Sequence, residues 1–212
     1  MIVSFFPKSF FVTGTDTGVG KTVVCAILTA GLSAAYWKPI QSGTEELTDT
    51  NWIQRATGLP DFHFIPETYR LSKPLSPHAA ALSDGIRIKL DEIRLPQTDF
   101  LPHLIVEGAG GVMVPINDRQ YMVDLMKYLN LPVLLVARST LGTINHTLLS
   151  LQSLRHNGLN VIGVVMNGPK NQINRMAIEL YGNVKVCAEV DILPEITPQS
   201  IFESYSKYFK FY

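Results

Sequence analysis

One short stretch gathers the residues best suited to handling a polyanion: Thr13-Gly14-Thr15-Asp16-Thr17-Gly18-Val19-Gly20-Lys21-Thr22. Closely spaced glycines let backbone N–H groups approach phosphate oxygens. The apolar run Val23–Leu32 that follows reads as a helix whose free N-terminal amides face the same anion. In such a loop Lys21 spans the β- and γ-phosphates of ATP, and the Thr22 hydroxyl is offered to Mg2+. The general phosphate-loop pattern places four residues between its first glycine and the Gly-Lys pair. Here five separate Gly14 from Gly20, so the assignment leans on context: strand, glycine turn, Lys-Thr, helix.

A second magnesium ligand must come from the end of another strand. His103-Leu104-Ile105-Val106-Glu107 ends in an acid and runs into Gly108-Ala109-Gly110-Gly111. A carboxylate there suits an ion that takes oxygen ligands in octahedral geometry, and the glycines leave room beside the γ-phosphate. Three reaction classes fit such a site: partition-type ATPase switches, nucleotide kinases and ATP-dependent ligases. The switches carry a second lysine six residues before the loop threonine, and Asp16 stands at that position. A carboxylate cannot neutralise phosphate across a dimer, which weighs against a switch.

Positioning these residues requires a sheet. Short runs rich in β-branched and other apolar residues, at Ser9–Thr13, Ala35–Ile40, His103–Glu107, Pro132–Ala137, Asn160–Met166 and Val184–Ala188, alternate with helix-like segments. The latter lie at about Gly20–Ser33, Asp49–Thr57, Ser76–Asp84, Tyr121–Leu129, Gly142–Asn157, Gln172–Tyr181 and Pro198–Tyr208. Runs that are apolar throughout mark strands covered on both faces. The pattern predicts an α/β fold of the P-loop NTPase type: three layers, a mostly parallel sheet with helices on both faces, and ligands beyond the carboxyl ends of the strands. The irregular, Pro-rich stretch Thr44–Phe100 reads as an excursion over the active site, and the whole chain, 1–212, as one domain. Eighteen basic and eighteen acidic residues cancel, which gives no electrostatic reason to expect nucleic acid or an anionic membrane. No apolar run is long enough to cross a bilayer, Met1–Phe6 lacks the features of a signal peptide, and the two cysteines read as buried thiols. A cytoplasmic enzyme is the expectation.

The string Gly14–Thr22, then Lys38-Pro39-Ile40-Gln41-Ser42-Gly43, Ser76-Pro77-His78, Glu107–Gly111 and Leu141-Gly142-Thr143-Ile144-Asn145-His146, resembles the dethiobiotin synthetase family. The blocks occur in family order from about residue 9 to residue 195. The resemblance implies closure of 7,8-diaminononanoate with CO2 to the cyclic urea dethiobiotin, at the expense of ATP, in a homodimer that uses Mg2+. It implies Lys38 and Lys21 as catalytic, and Thr22, Asp49 and Glu107 around the metal. It implies nucleotide contacts at Gly18, Val19, Gly20, Lys21, Thr22, Val23, Asp49, Glu107, Gly108, Ala109 and Gly110, with the base near Asn167, Gly168, Asp191, Ile192 and Leu193. Diamine contacts fall to Thr17, Lys38 and Ser42, and to Gly142, Thr143, Ile144 and Asn145, whose helix start reaches the substrate across the dimer interface. Asp49 also reads as a helix N-cap, Asn145 equally as a cap or interface residue, and His146 as a packed or interface side chain more than a general base. The sequence departs from the family at Gly18, often Glu, and at Glu189-Val190-Asp191, where Glu-Ile-Pro is usual. An amide-forming ligase of corrin biosynthesis shares the phosphate-loop logic, but the chain leaves no residues for the amidotransferase domain those enzymes usually add.

Overall fold

In a computed structural model, which describes residues 6–209, the alternation becomes nine strands and seven α-helices among the described residues. The strands are β1 (Ser9–Gly14), β2 (Ala35–Trp37), β3 (Ile40–Ser42), β4 (Phe64–Ile65), β5 (Tyr69–Leu71), β6 (Leu104–Gly111), β7 (Val133–Arg138), β8 (Val161–Asn167) and β9 (Val186–Val190). The helices are α1 (Lys21–Leu32), α2 (Asp49–Thr57), α3 (Pro77–Ser83), α4 (Met122–Leu129), α5 (Thr143–His156), α6 (Gln172–Gly182) and α7 (Pro198–Tyr208). Seven strands form one sheet in the order β4-β2-β6-β1-β7-β8-β9, and every pairing in it is parallel.

Both faces are dry. Along β1 and β7 alternate side chains enter two separate apolar clusters: Phe11, Val133 and Leu135 on one side, Phe10, Val12, Leu134 and Val136 on the other. The first cluster is closed by residues of α3, α4, α5 and α6. The second is closed by α1, α2 and α7, and α7 comes so near α1 that a Cβ on Gly31 would sit 1.8 Å from the Tyr205 ring.

Two expectations need correction. The apolar run Ala35–Ile40 is two strands: β2 belongs to the main sheet, while β3 pairs with β5 in a separate two-stranded parallel sheet. Pro39 explains the break, since it has no N–H to continue the ladder. The stretch Thr44–Phe100 is also more ordered than expected: between the two helices foreseen there, α2 and α3, it adds the edge strand β4 and the partner strand β5.

Candidate active site

Side-chain alternation brings the catalytic candidates together. β2 lies beside β6 with Tyr36 opposite Ile105 and Trp37 opposite Val106, so Lys38 and Glu107 come next in register. Tyr36 and Ile105 point into the α1 side of the sheet, Trp37 and Val106 into the other. With a period of two, Lys38 and Glu107 share the face of Tyr36 and Ile105, which is the face covered by the helix that starts with Lys21 and Thr22. The last contributor, Asp49, opens α2 on that same side. Its helix is capped by Thr48, whose hydroxyl accepts from the Asn51 amide. The N-cap reading of Asp49 is therefore wrong: with Thr48 doing that work, the Asp49 carboxylate is free for the site.

Four charged or polar groups meet there. The Thr22 hydroxyl lies 2.7 Å from Asp49 Oδ1 and 3.0 Å from Glu107 Oε1. The Lys38 ammonium sits 2.8 Å from Asp49 Oδ2 and 3.1 Å from Glu107 Oε1. Glu107 is 1% exposed and Lys38 5%. Burial alone would lower the Lys38 pKa, but Glu107 and Asp49 outweigh it and hold the ammonium protonated, above its ordinary range. Burial likewise disfavours the Asp49 carboxylate, yet Lys38 and the hydrogen bonds from Thr22 and Gln41 keep it below the usual aspartate range. Two carboxylates and a hydroxyl form an all-oxygen donor set. Among the described residues no group of three His, Cys, Asp or Glu forms a closed metal cage. That composition fits Mg2+, which is commonly held by one or two carboxylates and keeps water and phosphate oxygens for its other positions.

The glycine loop is built for close approach. Gly20 has φ 93°, and a Cβ there would lie 2.1 Å from the Asn167 amide nitrogen. That amide donates to the Val19 carbonyl at 3.2 Å, so the end of β8 braces the loop. Lys21 Nζ donates to the Asp16 carbonyl at 3.0 Å, and burial together with the nearby Lys38 lowers its pKa, against the pull of Glu107. No acidic residue occupies the first turn of α1, which leaves its amides and positive dipole end to an external anion. The Asp16 carboxylate is committed elsewhere: it accepts from the Thr17 amide at 2.7 Å and pairs with Arg138, from the end of β7, at 2.8 Å.

Beside the acids opens a cleft of about 350 Å³ lined by Thr17, Lys38, Ser42, Asp49, Ala109 and Gly110, with Pro74–Pro77 along its rim. Ser42 lines it, and its Oγ is buried without a hydrogen-bond partner. Asn167 ends β8 beside β9, and the Gly168 amide that follows donates to the carbonyl of Val190, the residue just before Asp191, Ile192 and Leu193. Among these, Ile192 is largely exposed, while the Asp191 carboxylate accepts from the Tyr208 hydroxyl at 2.9 Å. The start of α5 is not brought into the cleft: none of Gly142, Thr143, Ile144 and Asn145 lines it. His146 instead lines a neighbouring groove with Thr15, Asp16 and Met113.

Three contributors escaped the sequence reading. Gln41 accepts from the Asp49 amide at 3.1 Å and donates to the Ser42 carbonyl at 2.7 Å, tying the cleft to α2. Arg138 engages Asp16, and Tyr36 donates to Glu107 Oε2 at 2.9 Å. Gln41 stood inside a quoted motif. Tyr36 lies two residues before Lys38, so strand alternation alone would have put it on the same face.

Comparison with known proteins gives a consistent picture. A family model described as an AAA domain matches residues 8–200. The chain is 50% identical over 194 residues to the ATP-dependent dethiobiotin synthetase BioD of Paramagnetospirillum magneticum, covering 92% of this chain and 93% of that one. It is 43% identical over 200 residues to the protein of the same name from Agrobacterium fabrum, covering 94% and 93%. Among solved structures, a ParA family ATPase from Chlorobium tepidum superposes with a TM-score of 0.53 at 12% identity, over 94% of this chain and 91% of that one. At that identity the likeness establishes the shared fold alone.

Proposed function

The chain belongs to the family of ATP-dependent dethiobiotin synthetases, and on that premise we propose how its residues carry out the ring closure. The reading rests on one arrangement: Lys38 buried between Glu107 and Asp49, beside Thr22, where the phosphate loop meets the cleft that holds Ser42. One amine of 7,8-diaminononanoate adds to CO2 and loses a proton, giving a carbamate. A carbamate oxygen attacks the γ-phosphorus of ATP, ADP leaves, and a carbamic–phosphoric anhydride forms. The second amine then attacks the carbonyl carbon, expels phosphate and closes the cyclic urea.

The protein's contribution is positioning and charge neutralisation. Lys21 and the α1 amides hold the β- and γ-phosphates, while Lys38, kept protonated by its two acids, faces the carbamate and the transferring phosphoryl group. Thr17 and Ser42 orient the diamine. Thr22, Asp49 and Glu107 would hold Mg2+, which when bound neutralises the phosphate oxygens. Asn167 and Gly168 flank the base, joined by Asp191, Ile192 and Leu193. Gly142–Asn145 would serve the substrate carboxylate of a partner copy in a homodimer, with the free amides at the start of α5 as the donors. We place the enzyme, as a single domain, in the cytoplasm, a reducing compartment in keeping with two buried unpaired thiols, Cys25 and Cys187. Among the described residues no helix is long and apolar enough to cross a membrane.

The decisive assay supplies ATP, Mg2+, labelled bicarbonate and the diamine. Diamine-dependent ADP release with label in an acid-stable product is expected, and Lys21→Ala abolishes both. ADP release indifferent to the diamine, with no stable label, refutes the reading.

A further inference from the structure

A fully buried tyrosine hydroxyl touches the acid that the proposed mechanism gives to magnesium. Tyr36 is 0% exposed. Its ring lies in the α1-side cluster with the Phe64 ring edge-on at 6.5 Å, and its hydroxyl reaches Glu107 Oε2 at 2.9 Å. The other oxygen, Oε1, takes the Lys38 ammonium and the Thr22 hydroxyl. The two oxygens are thus divided: one is anchored from inside the sheet, the other is presented to the phosphate loop. Without this bond Glu107 would keep only the nearby Cys25 thiol, a weak donor, on its inner side, which poorly offsets desolvation and gives the carboxylate a reason to rotate toward Lys38 with both oxygens. The Tyr36 bond removes that alternative. The donor is also neutral, so it fixes the carboxylate without consuming its charge.

We propose that Tyr36 is a positioning residue for metal binding, clamping Glu107 in the one orientation that presents Oε1 beside Thr22 and Asp49. The inference rests on the reading of Glu107 as a magnesium ligand. Hydrogen-bonding partners behind a metal ligand typically contribute 10–100-fold to affinity. Tyr36→Phe keeps the ring and its packing and removes only the oxygen.

The test measures Mn2+ affinity of the enzyme–ADP complex by electron paramagnetic resonance, in wild type, Tyr36→Phe, Glu107→Gln and the double variant. Tyr36→Phe is expected to weaken Mn2+ binding at least tenfold, to leave metal-free ADP affinity unchanged, and to add nothing in the Glu107→Gln background. Mn2+ affinity within twofold of wild type in Tyr36→Phe, alongside a clear loss in Glu107→Gln, overturns the role of Tyr36 and leaves the metal reading standing. Unchanged affinity in Glu107→Gln overturns both. Additive losses in the double variant also overturn the proposal, because a general loosening of the core would add where a clamp on Glu107 would not.

Discussion

Replacing Lys38 by Met separates the charge of this residue from its bulk. The variant keeps an unbranched side chain of similar length in a site 5% exposed but leaves two carboxylates facing each other without their cation. Removing one partner of a buried ion pair costs about 3–5 kcal/mol, because the other charge stays buried. Asp49 is more accessible than Glu107, with 28% of its side chain exposed against none, and can turn toward water. The loss therefore falls mainly on Glu107, which keeps its bond from Tyr36 and shares the Thr22 hydroxyl with Asp49. That argues for the low end, about 3 kcal/mol, or roughly 6–12 °C in melting temperature for a chain of this size. Urea unfolding without nucleotide or metal reads it as a shift of midpoint at constant slope. Adding Glu107→Gln to Lys38→Met should recover most of that stability while turnover stays at least about a thousandfold down, since the cation proposed to face the phosphoryl group is still missing. A single variant that loses less than 1 kcal/mol, or a double variant no more stable than the single, would refute the view that these charges are mutually dependent.

Gly20→Ala should raise the KM for ATP about tenfold and destabilise the fold by more than the cost of a left-handed alanine, about 1–2 kcal/mol, because Asn167 must also move off the new Cβ. Nucleotide titration and urea unfolding read both, and normal ATP binding would argue against the loop geometry. Ser42→Ala should raise the KM for the diamine about three- to tenfold, the worth of one hydrogen bond, and leave that for ATP alone; equal effects on both would remove Ser42 from the diamine site. Cys187 gives a pH prediction, because burial pushes its thiol from an ordinary 9.0 up to about 11. The unfolded chain loses this proton first. Stability is therefore intact below pH 9 and declines from there through pH 11, by about 2–3 kcal/mol. Cys187→Ala should lack that part of the alkaline decline, and parallel stability–pH curves for the two proteins would contradict it.

Much of the site was legible because its chemistry is local. Thr13–Thr22 and Glu107–Gly111 each carry backbone geometry and side chain in one unbroken string, and a glycine loop between strand and helix has few other uses. Lys38 was legible as a strand-end cation. What held it in place was not, because Tyr36 sits in an apolar run and reads as core. Its hydroxyl matters only through the β2–β6 register, a pairing between residues far apart in sequence. The strands β4 and β5, two and three residues long, are too short to show a period. The division of β2 from β3 was written in Pro39 but masked by the apolar residues around it. Asp49 reads as both cap and ligand because both uses want an acid at a helix start, and only the position of Thr48, one residue earlier, removes the cap role.

The central place of β1 bears on how the chain is made. Its neighbours in the sheet are β6 and β7, which begin at Leu104 and Val133, so β1 waits for about ninety further residues before either edge is paired. Until then Phe10, Phe11 and Val12 have no sheet to enter, the situation in which unpaired apolar strands aggregate. Parallel pairings of this kind close slowly. The same order governs the charged cluster. A ribosome that has delivered the phosphate loop, Lys38 and Asp49 has not yet delivered Glu107, so a half-made chain holds the nucleotide-facing loop without its buried acid. The cluster of Lys38, Asp49 and Glu107 is therefore completed only as the sheet closes around β1.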